Sequence, residues 1–159
     1  MTKILIEFGL ASNPDLAYSE RSRNIESLLD DSRKALTKTH RQEKDLPRLL
    51  VWPESTFPAP IFKDASAKEL VSNFAKEKRV HILLSTVDWE MQVDGNYRFF
   101  GISVLVDPEG EVAGRYNKIF LIPFGESIPG SSLFPSWAAW PGAKNSKLIC
   151  GPPELPILI

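Results

Sequence analysis

The sequence predicts an α/β layered domain with helices packed on a sheet. Strand-like and helix-like segments alternate in the order strand, helix, strand, helix, strand, hairpin. That order is the pattern of a sheet covered by helices. Length and composition agree: 159 residues, 43% hydrophobic and 25% charged, suit one globular domain and exclude wholesale disorder. There is no internal repeat.

Each element has a local reason. Lys3–Phe8 is β-branched and aromatic and is followed by Gly9, which predicts a first strand. Asn13-Pro14-Asp15 reads as a turn. From Ser19 to about Lys38, Ile25, Leu28, Leu29, Ala35 and Leu36 fall on one stripe, with Arg21, Arg23, Glu26, Asp30, Arg33 and Lys34 elsewhere, which predicts an amphipathic helix. His40–Pro47 is a polar connector. Arg48–Trp52 is short and nearly all apolar, as expected for a strand buried on both faces, and Pro53 stops it.

Pro58–Lys63 reads as a loop, and Ser66–Arg79 as a second helix with Leu70, Val71, Phe74 and Ala75 inward. Val80–Ser85 is another buried strand. Asp94-Gly95-Asn96 is a turn, Tyr97–Val106 a long strand, and Asp107-Pro108-Glu109-Gly110 a hairpin turn that returns Glu111–Tyr116 as partner. Beyond it, Leu133, Phe134, Trp137 and Trp140 have the spacing of one helical face.

Charge and composition exclude several functions. A net charge of −1 leaves no general surplus of cations for phosphates, so nucleic acid is not an expected partner. The single Cys150 excludes an intrachain disulfide, and with His40 and His81 it falls short of the four ligands of a structural zinc site. No feature points to a metal, a nucleotide or a flavin, and no Gly-rich phosphate loop is present. No apolar run approaches the roughly 20 residues of a membrane-spanning helix. The run Ile4–Ile6, broken by Glu7, is too short for a signal peptide. Taken alone, the chain is expected to be soluble.

Three segments could carry chemistry. In Val51-Trp52-Pro53-Glu54-Ser55-Thr56-Phe57-Pro58, a carboxylate stands just past the C-terminal end of a strand, where open α/β sheets put functional groups. Partial desolvation between Trp52, Pro53 and Phe57 would make Glu54 a better general base. It could equally be a turn residue bonding backbone N–H groups. In Gly114–Leu121, Lys118 lies in an apolar and aromatic stretch. It could offer fixed positive charge to a developing oxyanion, or lay its stem on the surface with its head in water. Ile122–Gly130 is a loop stiffened by proline and glycine, with one carboxylate, Glu126. Pinned loops often carry function, and a plain turn is the alternative.

Together these segments resemble the carbon–nitrogen hydrolase (nitrilase) superfamily, and within it the catalytic domain of the apolipoprotein N-acyltransferase family. The resemblance rests on Leu50–Pro58, on Asn96, and on Tyr116-Asn117-Lys118-Ile119-Phe120-Leu121-Ile122-Pro123-Phe124-Gly125-Glu126-Ser127-Ile128-Pro129, within a stretch from about Ile4 to Gly142. It implies an αββα sandwich and a Glu–Lys–Cys set. Glu54 would be the general base, Lys118 would stabilise the tetrahedral intermediate, and Glu126 would be a second, positioning carboxylate. A cysteine would hold the acyl group as a thioester.

In the acyltransferase family a phospholipid donates the acyl group and the N-terminal amine of a lipoprotein accepts it, at the outer (periplasmic) face of the bacterial inner membrane. The resemblance therefore implies phospholipid and lipoprotein partners and a membrane surface. On that reading the 133–140 aromatic residues lie at the surface near the lipid donor; packing in a core or against a partner chain is the other.

The nucleophile departs from the family pattern. Leu148-Ile149-Cys150 has a suitable lead-in, but Gly151-Pro152-Pro153-Glu154 follows where the family has an aromatic residue and a glutamate. Cys150 and a cysteine beyond residue 159 both stay open. The family domain is on the order of 250 residues, a size that single α/β domains reach, so residues 1–159 are expected to be a partial carbon–nitrogen hydrolase domain, its N-terminal half or slightly more. A soluble amidase and a catalytically inactive remnant are the alternative functions. The oligomeric state is not legible.

Overall fold

A computed structural model describes residues 14–38, 47–54, 56–57 and 59–122, with the side chains of 22–37 in the first helix. In chain order the elements are α1 (Pro14–Lys38), β1 (Leu49–Val51), α2 (Ala65–Lys78), β2 (His81–Met91), β3 (Tyr97–Val106) and β4 (Val112–Asn117). The mixed α/β class expected from the alternation is the one observed. The expected strand at 3–8, Glu126, the 133–140 aromatic stripe, Cys150 and most of the 40–47 connector lie outside the described residues.

The helix expected from Ser19 begins at Pro14 instead. Proline punctuates turns, but at the first position of a helix its missing N–H costs nothing and its fixed φ is already helical. Ile25, Leu29 and Ser32 are buried along one stripe, flanked by the partly buried Leu28 and Leu36. The Ser32 hydroxyl donates to the Leu28 carbonyl one turn back (2.7 Å) and accepts the indole N–H of Trp52 (3.0 Å). A buried polar group inside an apolar stripe is thereby satisfied.

Helix α2 opens on Asp64, whose carboxylate accepts the Ala67 N–H at 3.0 Å, and so satisfies one of the free donors of the first turn. It closes on Arg79, which adopts the left-handed conformation at φ 49°, with Lys76 and Lys78 in the last turn, where cations favour the helix dipole. Ala67, Val71, Phe74 and Ala75 face inward; Leu70, expected with them, is only partly buried.

The four strands form one sheet in the order β1-β2-β3-β4. Strand β1 runs parallel to β2, while β2–β3 and β3–β4 are antiparallel. Side chains alternate across a strand, so Ile82 and Leu84 share a face with Phe100, Ile102, Val104 and Val106. Both helices cover that face, and these residues join Ile25, Leu29, Val71 and Phe74 in one apolar core.

Two strand expectations need correction. Strand β2 runs to Met91 rather than stopping at Ser85, because β3 pairs with it residue for residue from Ile82↔Val106 to Met91↔Tyr97. Strand β1 is not buried on both faces: Leu49 and Val51 are each 58% exposed. Among the described residues it is an edge strand, bonded to β2 alone.

The β3–β4 hairpin docks on α2. Its turn closes through Gly110 N–H to the Asp107 carbonyl (2.9 Å), with Gly110 at φ 78°. The Ser72 hydroxyl donates to the Gly110 carbonyl at 2.7 Å. A Cβ on Gly110 would stand 2.6 Å from Lys76 Cε and 2.8 Å from the Ser72 carbonyl oxygen. Glycine is needed here for its backbone conformation and for the close approach of the helix.

Candidate active site

The site begins where β1 ends. The Trp52 N–H makes the last ladder bond, to the Leu83 carbonyl at 2.9 Å. A turn follows in which the Thr56 N–H and hydroxyl both donate to the Pro53 carbonyl, at 3.3 and 2.7 Å. Trp52 and Phe57 are buried and stack with ring centroids 5.8 Å apart and planes 16° apart. These two rings form the inward side of the turn and hold Glu54 on its outer side. The Glu54 side chain is 65% exposed, so the desolvation expected between Trp52, Pro53 and Phe57 is not present. The rings pack on each other and on α1 rather than over the carboxylate.

Lys118 follows β4. Its N–H donates to the Gly101 carbonyl at 2.7 Å, which carries the β3–β4 pairing one residue past the strand. Its ammonium donates to Glu54 Oε1 at 2.9 Å, across 64 residues of chain. In sheet order two strands separate β1 from β4. At ordinary interstrand spacing the two strands lie about 14 Å apart, and the contact joins the segments that follow them. The structure thus brings together two of the three residues singled out from sequence; Glu126 lies outside the described residues. A carboxylate and an ammonium in contact can accept a proton and stabilise negative charge at one place.

A second charged cluster was missed from sequence. Asp88, on the helix-covered face of β2, is 4% exposed. Its carboxylate meets Arg115 of β4 at 2.8 Å and Lys63 at 3.8 Å, and accepts the Trp89 N–H at 2.9 Å. Arg115 also donates to Asn117 Oδ1 (3.1 Å), and its guanidinium lies 5.3 Å from the Phe62 ring centre. Thr86 donates to the Ala59 carbonyl nearby. These contacts fasten the segment after the Glu54 turn to β2 and β4. The signal was available: Asp88 has the same strand parity as Ile82 and Leu84, which makes an inward carboxylate that needs a cation.

Known proteins supply the class. An amidase of the nitrilase superfamily from Nesterenkonia AN1 superposes on 87% of this chain and 46% of its own, with a TM-score of 0.55 and 15% identity. The chain therefore shares the fold of nitrilase-superfamily structures. Its sequence relatives are narrower. Apolipoprotein N-acyltransferase of Pseudomonas paraeruginosa is 34% identical over 113 residues, 69% of this chain. That of Geobacter metallireducens is 33% identical over 88 residues, 55% of this chain. The matched segments span 21% and 16% of those relatives' lengths. No family model matches the sequence. Among the described residues no helix is long and apolar enough to cross a membrane.

Proposed function

We propose that this chain contributes to acyl transfer through a cysteine thioester, from a phospholipid to the N-terminal amine of a lipoprotein, with Glu54, Lys118 and Glu126 as its catalytic residues. The observation that carries the reading is the 2.9 Å contact of Lys118 with Glu54, in a chain whose sequence relatives are apolipoprotein N-acyltransferases. Residues 1–159 form part of one carbon–nitrogen hydrolase domain on this reading, working at the outer face of the bacterial inner membrane.

The chemistry follows from the pair. The Glu54 carboxylate takes the proton of the thiol, and the sulfur attacks the ester carbonyl carbon. The carbonyl oxygen gains negative charge beside the Lys118 ammonium. The ester C–O bond breaks, the leaving alkoxide takes the proton from Glu54, and a thioester and a lysophospholipid result. The lipoprotein amine then attacks the thioester carbon and gives a proton to Glu54. The C–S bond breaks, the amide forms, and that proton returns to the sulfur. Glu126 would hold the lysine and the first carboxylate in register.

The test uses the product of the reading frame that contains this chain. It is incubated with phosphatidylethanolamine micelles and a synthetic diacylglyceryl-cysteinyl peptide, and N-acylation is followed by mass spectrometry. Glu54→Gln and Lys118→Ala are expected to slow turnover at least about 100-fold, the usual worth of a general base or an oxyanion donor. Glu126→Gln is expected to slow it as well. A hydroxylamine-labile acyl adduct identifies the cysteine and decides whether it is Cys150. Wild-type turnover in all three variants would overturn the assignment. Release of ammonia from small amides without acyl transfer would favour an amidase, and no activity in the wild type an inactive remnant.

A further inference from the structure

Strand β3 carries a glycine in its interior, Gly101, opposite Lys118. Glycine weakens a strand and gives it no side chain to pack. The backbone conformation does not require it, since Gly101 is not among the positive-φ glycines. What distinguishes the position is the neighbour. A Cβ built on Gly101 would lie 3.6 Å from both Cβ and Cδ of Lys118. Directly opposed side chains on paired strands ordinarily keep their Cβ atoms about 4.5–5.5 Å apart. The lysine stem therefore lies over the place where a side chain at 101 would stand, and from there its ammonium reaches Glu54 at 2.9 Å.

We propose that Gly101 is a positioning residue for Lys118: the bare backbone of β3 lets the lysine stem lie across the strand and aims its ammonium at Glu54. The proposal rests on the reading of that pair as catalytic. At 3.6 Å an alanine Cβ makes ordinary contact and is accommodated. Any atom beyond Cβ on the same face has to share space with the stem and lifts it off the strand. Gly101 acts on the reaction only through the lysine.

Substitutions at 101 set two effects against each other. Strand preference rises from Gly and Ala to Thr and Val, so a merely structural role predicts that Gly101→Thr and Gly101→Val leave the fold as stable or more so, with turnover intact. Positioning predicts the reverse order for kcat. Gly101→Ala should stay within about threefold of wild type, Gly101→Ser should fall further, and Gly101→Thr and Gly101→Val should fall at least tenfold, with KM little changed. In parallel, the Lys118 side-chain resonances are followed by NMR. In Gly101→Val they should move in the direction that Glu54→Gln moves them, because both changes weaken the contact of the ammonium with the carboxylate.

The two readings fail separately. Unchanged Lys118 resonances and unchanged kcat in Gly101→Val and Gly101→Thr would overturn the positioning role and leave the catalytic pair standing. Wild-type turnover in Lys118→Ala would overturn the catalytic reading, while the resonance shift in the 101 variants would still decide the geometry. Should Gly101→Val not fold, Gly101→Ser and Gly101→Thr carry the same comparison.

Discussion

Lys118 meets Glu54 where water reaches both partners; Arg115 meets Asp88 where the carboxylate is almost wholly enclosed. Exposure of the four side chains is 27%, 65%, 33% and 4%. Both contacts draw on β4 and its end, and both serve the segment that follows β1. At Asp88 a second cation, a backbone N–H and the Phe62 ring close the cluster. At Glu54 the carboxylate faces solvent on the outer side of a turn whose inner side is two stacked rings. Burial makes the first contact architectural, because a carboxylate taken from water must keep its cations. Exposure leaves the second worth little to stability and open to a reacting group.

The comparison breaks most sharply at Arg115. Among the described residues, Arg115→Ala leaves the enclosed Asp88 carboxylate with the Trp89 N–H at 2.9 Å and the more distant Lys63 at 3.8 Å, and should cost about 3–5 kcal/mol in urea unfolding. A loss below about 1 kcal/mol would mean that the cluster is no more structural than the exposed pair.

Trp52→Phe tests the floor of the Glu54 turn. It keeps the stacking ring but removes the indole N–H donated to Ser32, and should cost about 1–2 kcal/mol. An intact Lys118–Glu54 contact in the variant, read from the lysine resonances, would separate the floor from the pair above it. Glu54→Gln should change stability by about 1 kcal/mol or less. A larger loss would make that pair a structural one.

The smallest effect is expected at the β2–β3 turn. The backbone N–H of Asn96 and, after it, the Asn96 side chain hold the Asp94 carboxyl below its usual value of 3.8. A carboxyl lowered in the folded state adds stability that is fully present above its unfolded value and is lost as pH falls through the folded one. Asn96→Ala should raise the Asp94 value toward 3.8 in an NMR titration, and the pH dependence it adds should shift upward in the same acid range. An unmoved titration would show that the backbone N–H alone sets the value.

What the sequence made legible follows from where local rules act. The β3 strand, the Asp107–Gly110 turn and the second helix each have a clear period and clear punctuation, and their expected limits fall within a residue of those observed. The far half of β2 was lost because Thr86, Asp88 and Glu90 interrupt its apolar character, and only pairing with β3 keeps it extended. Glu54 and Lys118 were found by residue type and surroundings. That they touch is a matter of sheet order, which chain spacing does not encode. Asp88 is less legible because its inward position follows from the parity of a strand half that the apolar pattern does not reveal.

The docked hairpin turn has a mechanical consequence. Strand β4 is clamped at its start, where the Gly110 turn sits on α2, and again at mid-length, where Arg115 enters the Asp88 cluster. Lys118 stands only three positions beyond that second clamp. The lysine backbone therefore moves as the tip of a short cantilever, whose stiffness comes from a helix on the opposite face of the sheet. A side chain at Gly110, pushing the turn off α2, would loosen the root of that beam eight residues away from the ammonium it carries.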